Sequence, residues 1–279
     1  RLPARQLILA LGHSARDTVE MLYDRGLSME AKPFAVGVRI EHLQSHIDAV
    51  QYKEYAGHPA LPVSTYKLSC HLPGGRSVFS FCVCPGGEVV AAASERERTV
   101  TNGMSEYARD GENINGGLLV NVTPEDFGSG HPLAGIAFQR RLEGAAYRLG
   151  GGYTAPCQRV EDFLAGRPSE AAGRVKPTYR PGVVYTDLHR CLPPFVSETL
   201  ALALPELGRR LRGYDDPDAL LTGVDTRSSS PVRLVRDEHY EANIRGVYPC
   251  GEGAGYAGGI LSAAADGMRC AEKILEVYR

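Results

Sequence analysis

Excess charge of either sign is what this sequence lacks first. Its 31 Lys and Arg against 33 Asp and Glu leave a net charge of -2, and no basic cluster is long enough to track a phosphate backbone. The densest basic group, Arg209, Arg210 and Arg212, fits a solvated helix end. A nucleic-acid partner is therefore not expected. A run of about 18 apolar residues is also missing, so no membrane span is expected. The opening "RLPARQLILALG" has a basic flank and a short apolar run without a small-residue cleavage site, which argues against a signal peptide. The expectation is a cytoplasmic protein.

A disulfide framework is absent as well. Seven cysteines, an odd number without framework spacing, argue for reduced thiols. Cys82 and Cys84 would share a face if their segment is a strand, but no second pair or nearby His completes a zinc set. They read as buried small hydrophobes. The eight histidines form no motif, and Ser28, Ser64 and Ser197 sit in no G-x-S-x-G elbow, so hydrolase chemistry has no support. There is no internal repeat and no low-complexity segment.

What is present suits one large or two ordinary domains: 279 residues, 43% hydrophobic, with 32 glycines. "QLILAL" (6–11) reads as a parallel strand covered on both faces. "GHSARD" follows it as a tight turn, with Ser14 and Asp17 as a capping box and Gly26 as the helix stop. From Pro33 the pattern changes to short alternating segments, "FAVGVRIEH", "VSTYKLSCHL", "RSVFSFCVCP", "EVVAAAS" and "GGLLVNVT", as in a mostly antiparallel sheet. "LAGIAFQRRLEGAAYRLGG" predicts a helix packed on that sheet. Residues 158–181 predict a loop, and "VSETLALALPELGRRLRGY" a helical stretch on either side of Pro205. The end of the chain returns to strands and a helix with Ile260, Ala264, Ala271, Ile274, Leu275 and Tyr278 along one apolar face. The fold class expected is α/β with an α+β insertion. Residues 1–32 and 223–279 form one domain, and 33–222 are inserted into it.

"GVYPCGEGAGYAGGILSAAADGMRCAEKILEVYR" (246–279) is the stretch that bears on chemistry. It contains G-x-G-x-x-G between an apolar run and a helix, the spacing of a dinucleotide fingerprint. The strand and ribose-binding acid that such a fingerprint needs downstream are missing, so an NAD-binding reading fails. Glu252 would also repel a diphosphate. A carboxylate there suits ribityl hydroxyls better, and amides at the helix start suit an electron-rich ring carbonyl. The same spacing also serves a plain helix start packed on its strand, with Glu252 solvated.

"TRSSSPV" offers Arg227 and Ser229 beside Pro231 to hold an anionic substrate group, or else marks a polar strand edge. "NGMSEYARDGENINGG" offers Asn102, Arg109, Asn113 and Asn115 toward a cleft, although turn chemistry alone explains many of its residues. Cys250 falls at a strand end, where a single thiol usually packs.

"GVYPCGEGAGYAGGILSAAADG" resembles the C-terminal flavin motif of the bacterial FAD-dependent dehydrogenases, or NAD(P)/FAD-dependent oxidoreductases. "LILALGHSARDTVEMLYDRGLSMEAKPFAVGVRIEH", "TNGMSEYARDGENINGG" and "GVDTRSSSPVRL" resemble further segments of that family, in order along nearly the whole chain. The resemblance implies a doubly wound FAD-binding domain interrupted by a mostly antiparallel substrate domain. It implies FAD as cofactor with NAD(P)H as a possible reductant, and a small organic substrate. It also implies that the ADP half of FAD sits on an N-terminal βαβ unit upstream of Arg1, so this chain would carry only the flavin end and be inactive alone. Position by position, it places Gly12, His13, Gly251, Glu252, Gly253, Gly255, Ala257, Gly258, Gly259 and Ile260 against the cofactor. Arg227, Ser229, Asn102 and Arg109 are the candidates on the substrate side. The alternative expectation is a non-catalytic recognition or interaction module that holds no FAD.

Overall fold

The structure, a computed structural model, describes residues 4–276. In chain order the elements are β1 (Leu7–Leu9), α1 (Arg16–Asp24), β2 (Met29–Ala31), β3 (Phe34–Leu43), α2 (Gln44–Tyr52), β4 (Ser69–His71), β5 (Ser77–Cys84), β6 (Gly87–Ala91) and β7 (Thr101–Ser105). There follow β8 (Asn113–Val122), α3 (Ala134–Gly150), β9 (Ala155–Arg159), α4 (Val160–Leu164), β10 (Val183–Tyr185), α5 (Pro194–Arg210), β11 (Leu220–Asp225), β12 (Val232–Leu234), β13 (Val247–Pro249) and α6 (Ile260–Glu276). Two compact units result. The first comprises Arg1–Phe34, Val122–Gln139 and Arg227–Arg279; the second comprises Ala35–Asn121 and Arg140–Thr226. Residues 122–139, assigned to the insertion from the sequence, belong with the terminal segments.

In the first unit β1 pairs in parallel with β13, and β2 pairs antiparallel with β12. Its core gathers Leu9, Val19, Leu27, Met29, Ile136, Val232, Leu234 and Ala254. Gly26 closes α1 in the left-handed region (φ +83°), where glycine carries no Cβ penalty. Three expectations fail here. Leu7 and Ile8 stand exposed, so β1 is not covered on both faces. The capping box does not form, because the N-cap is Ala15 and the Ser14 hydroxyl accepts from Arg227 instead. On α6 the buried residues are Asp266 and Cys270; of the expected apolar face Ile260, Ala264 and Leu275 are exposed, and only Ala271 and Ile274 are half-buried, Ile274 packing against Tyr248, Cys250 and Cys270. Tyr278 lies outside the described residues.

The second unit is built on a mostly antiparallel seven-stranded sheet, β10-β9-β11-β3-β8-β5-β4, with β10–β9 its parallel pair, and on the β6–β7 hairpin. β3 and β11 are buried along almost their whole length. Gly37 lets β3 approach β8, since a Cβ there would lie 2.0 Å from the Leu118 carbonyl oxygen. α5 runs unbroken through Pro205 and lies against β4 and β5, so its buried face of Val196, Leu200, Ala203, Leu204 and Leu207 outweighs the local loss of one helix hydrogen bond. α2 and α4 appear where no helix was predicted. The short α4 breaks the loop expected over 158–181.

His42 lies fully buried in this unit, its Nε2 2.8 Å from the Tyr214 carbonyl oxygen. Burial holds its imidazole down to about 4, against the opposing effect of that hydrogen bond. The folded chain thus keeps His42 neutral where the unfolded chain, titrating at about 6.5, takes up a proton. Stability contributed by the neutral ring is complete above that value and falls as pH drops toward 4, by up to about 1.4 kcal/mol per pH unit. Glu41, whose carboxyl burial raises, adds a slope of opposite sign that His42→Gln shares. Urea unfolding at pH 7 and pH 5 is expected to show a smaller loss of stability in His42→Gln than in the wild type; equal losses would remove His42 as the cause.

Candidate functional site

The site is built where β1 and β13 end side by side, in register from Leu7↔Val247 to Leu9↔Pro249. Parallel strands that end together deliver their following loops to one edge. The loop after β1 carries Gly12 (φ +67°) and His13; the loop after β13 carries residues 251–259. The two meet backbone to backbone, for a Cβ on Gly253 would stand 2.4 Å from the Gly12 carbonyl carbon and oxygen. That approach excludes any side chain at 253. Across the same junction the Nδ1 of His13 lies 2.6 Å from Glu252 Oε1, fixing the carboxylate that the sequence singles out. Gly255 (φ +85°) has no room either, with the Val232 carbonyl oxygen 2.7 Å from its would-be Cβ.

An ion pair that sequence reasoning missed holds the second loop. Asp266 of α6 accepts the Gly251 amide (2.8 Å) and pairs with Arg236 through two contacts, at 2.6 and 3.0 Å. Arg236 also donates to the Pro249 carbonyl (2.9 Å) and lies between the rings of Tyr256 (3.7 Å) and Tyr240 (3.9 Å). Burial alone would raise the Asp266 carboxyl. The Arg236 fork and the Gly251 amide outweigh it and hold the group below the ordinary range. The strand end at Pro249 and the helix at Asp266 are thereby tied to one guanidinium, and the Gly251 amide joins them through Asp266.

Beyond Gly255 the loop opens. Ala257 and Gly259 are half-buried and Gly258 is exposed, and a Cβ on Gly258 would meet no atom within 4 Å. The Gly258 amide donates to Ser262 Oγ at 3.3 Å, while the amides of Gly259, Ile260 and Leu261 have no acceptor among the described residues. Free amides at the start of a 17-residue helix favour an electron-rich group. Lys32 was not foreseen. It is half-buried, its Nζ reaches the carbonyls of Pro33 (3.3 Å) and Ser230 (3.5 Å), and burial, with the repulsion of Arg233, lowers its pKa against the attraction of Glu252.

The remaining candidates separate. Arg227 is buried and donates to Ser14 Oγ at 2.8 Å, and Ser229 is half-buried beside it. Ser230 binds the Gly253 carbonyl (3.2 Å), so the "TRSSSPV" turn also supports the glycine loop. Asn102 and Arg109 belong to the second unit. Asn102 accepts from the Gly103 amide, and Arg109 is an exposed turn residue at φ +54°. Asn113 and Asn115 do not face a cleft: Asn113 is buried against Glu41 and the Lys176 carbonyl, and Asn115 against Arg39. Cys250 packs with Tyr248 and Cys270. A groove of 870 Å³ in the second unit, among His46, Lys53, Arg212 and Asp216, includes none of these glycines.

A family model described as "FAD-dependent protein, C-terminal domain-like" matches residues 33–228, and the chain belongs to this family. The family's description associates it with FAD. The matched residues end before the glycine loop. A Clostridium beijerinckii protein described as "Uncharacterized protein" is 50% identical over 275 residues, covering 98% of this chain and 52% of its own. The chain therefore spans about half the length of that curated relative.

Because removing one partner of a buried pair leaves the other charge uncompensated, Asp266→Ala is expected to cost on the order of 3 kcal/mol. Chemical denaturation measures it; a loss below about 1 kcal/mol, the range of an exposed pair, would deny the clamp its role.

Proposed function

We propose that the loop-helix junction at residues 251–261 receives the flavin end of FAD, in an oxidoreductase that moves a hydride or an electron pair between FAD and a small organic substrate. The observation that carries the reading is the open backbone at Gly258, followed by three amides at the start of α6 without acceptors among the described residues. Glu252, held by His13, keeps its second carboxylate oxygen to accept from ribityl hydroxyls. Gly12, Gly251, Gly253 and Gly255 shape the wall by excluding side chains, and the amides of Gly259 and Ile260 favour negative charge at the edge they face. FAD supplies the two-electron chemistry when bound; the protein's part is to orient and polarise. Lys32 adds a cation whose pKa burial lowers.

On this reading the first unit is the second half of a doubly wound FAD domain, the sheet-based unit is the substrate domain, and Ser229 and Asn102 stand on the substrate side. The adenosine half falls to a βαβ unit of a longer polypeptide, which the length of the relative supports. The proposal extends to FAD and not to a nicotinamide nucleotide. A second reading, an interaction module without flavin, draws on the apolar face of α6, where Ile260 is 89% and Leu261 86% exposed.

Gly258 separates the two readings. A Cβ there would meet no atom within 4 Å among the described residues, so Gly258→Val is expected to leave folding intact while filling the space assigned to the flavin. The longer protein should purify with a flavin visible spectrum, and Gly258→Val should lower its flavin content at least tenfold with unchanged thermal unfolding of the apoprotein. Equal flavin in both would sink the site assignment. A wild type that takes up no FAD would leave the interaction module standing.

A further inference from the structure

Cys82 and Cys84 occupy an irregularity of the second unit's sheet. β5 pairs with β8 through Phe81↔Gly117 and resumes at Cys84↔Asn115, so β5 carries one residue more than its partner. Such a bulge turns a side chain out of the alternation. Cys82 takes φ +44°, a left-handed conformation costly for a residue with a Cβ. Strain of this kind persists only where the surroundings impose it. Cys82 is exposed, Cys84 is buried, and the other five cysteines are buried. The bulge nevertheless brings the buried thiol to the exposed residue, Cys84 Sγ donating to the Cys82 carbonyl oxygen at 3.3 Å. The buried pair Cys250 and Cys270 has no comparable access to solvent.

Below the bulge stands a buried cation. Arg39 of β3 is fully buried; its Nη2 donates to the Cys82 carbonyl at 2.8 Å and lies 3.8 Å from Cys84 Sγ. Asn115 Oδ1 accepts from its Nε (3.2 Å) and Nη2, and Asp225 Oδ2 from its Nη1 (3.4 Å). The guanidinium is thus fixed by β8 and β11 and cannot swing away from the thiols. No group of three or more metal-ligating side chains occurs among the described residues, so the pair does not extend to a metal site.

We propose that Cys82 and Cys84 form a thiol–disulfide exchange site, Cys82 attacking a small disulfide and Cys84 resolving the product. In the first step the Cys82 thiolate forms a bond to one sulfur of R–S–S–R as the disulfide bond breaks, and RS⁻ leaves and takes up a proton. In the second, the Cys84 thiol gives its proton to solvent, its sulfur attacks Cys82 Sγ, and the second RS⁻ leaves and is protonated. Two cysteine thiols are oxidised by two electrons, and one small disulfide is reduced to two thiols. Exchange needs an accessible, thiolate-prone attacker and a second thiol at hand, and the bulge supplies both. The Cys82 thiol is held below the ordinary range first by its hydrogen bond with Cys84, which outweighs partial burial, and then by Arg39. The same hydrogen bond, with burial, pushes Cys84 up.

The test uses the 279-residue chain, glutathione disulfide and intact-mass spectrometry after acid quench. The wild type is expected to lose two hydrogens without retaining glutathione, with peptide mapping placing the bond between Cys82 and Cys84. Cys84→Ser is expected to stop at one glutathione on residue 82, and Cys82→Ser to react at neither position. Iodoacetamide at neutral pH should label Cys82 at least tenfold faster than free glutathione. A wild type that stays reduced, or one that accumulates a lasting glutathione adduct at Cys82, would overturn the proposal without recourse to any variant.

Discussion

The Arg236–Asp266 pair is the contact on which the first unit's glycine loop rests. It joins the end of β13, through the Pro249 carbonyl, to the body of α6, and it takes the Gly251 amide as a third point. A glycine-rich loop has the largest conformational entropy to lose on ordering. Here one buried, charge-assisted cluster, packed between Tyr240 and Tyr256, fixes both ends of the turn. What lies past it can remain open: a Cβ on Gly258 would meet no atom within 4 Å, and the amides of Gly259, Ile260 and Leu261 have no acceptor among the described residues. Order at Gly251 and openness at Gly258 are two results of the same arrangement.

The second unit solves a related problem around Arg39. A guanidinium with no exposure is tolerable only when its donors are met, and Asn115, Asp225 and the Cys82 carbonyl meet them from three strands. The carbonyl at Cys82 reaches Arg39 from the bulge, where β5 departs from regular pairing. Satisfying a buried charge and exposing a thiol are therefore coupled, which is why a residue of unfavourable backbone conformation sits in the middle of an otherwise regular strand.

Local pattern made part of this legible in the sequence. The strand, glycine turn and helix at the chain's end, the antiparallel middle and the helix over 134–150 follow from periodicity and glycine placement. Which face is covered does not follow, because a stripe of Ile260, Ala264 and Leu275 looks alike whether it meets a core or stands bare. Asp266 reads as helix surface until Arg236, thirty positions earlier, is brought beside it. "CVC" reads as plain alternation, since a bulge is a property of two strands and only one is visible in the string. α2, with "QSHIDAVQY", lacks the repeated apolar spacing that marks a helix. Its placement depends on Gln44, whose side chain binds the Gly86 amide and the Ser64 carbonyl from distant loops.

The central claim is that residues 251–261 hold the isoalloxazine and ribityl end of FAD and no diphosphate. Its most direct test is a pair of titrations of this chain, one with riboflavin and one with ADP, followed by quenching of flavin fluorescence and by calorimetry respectively. The account predicts saturable riboflavin binding that Gly258→Val abolishes, and no saturable binding of ADP. Saturable ADP binding without riboflavin binding would contradict it.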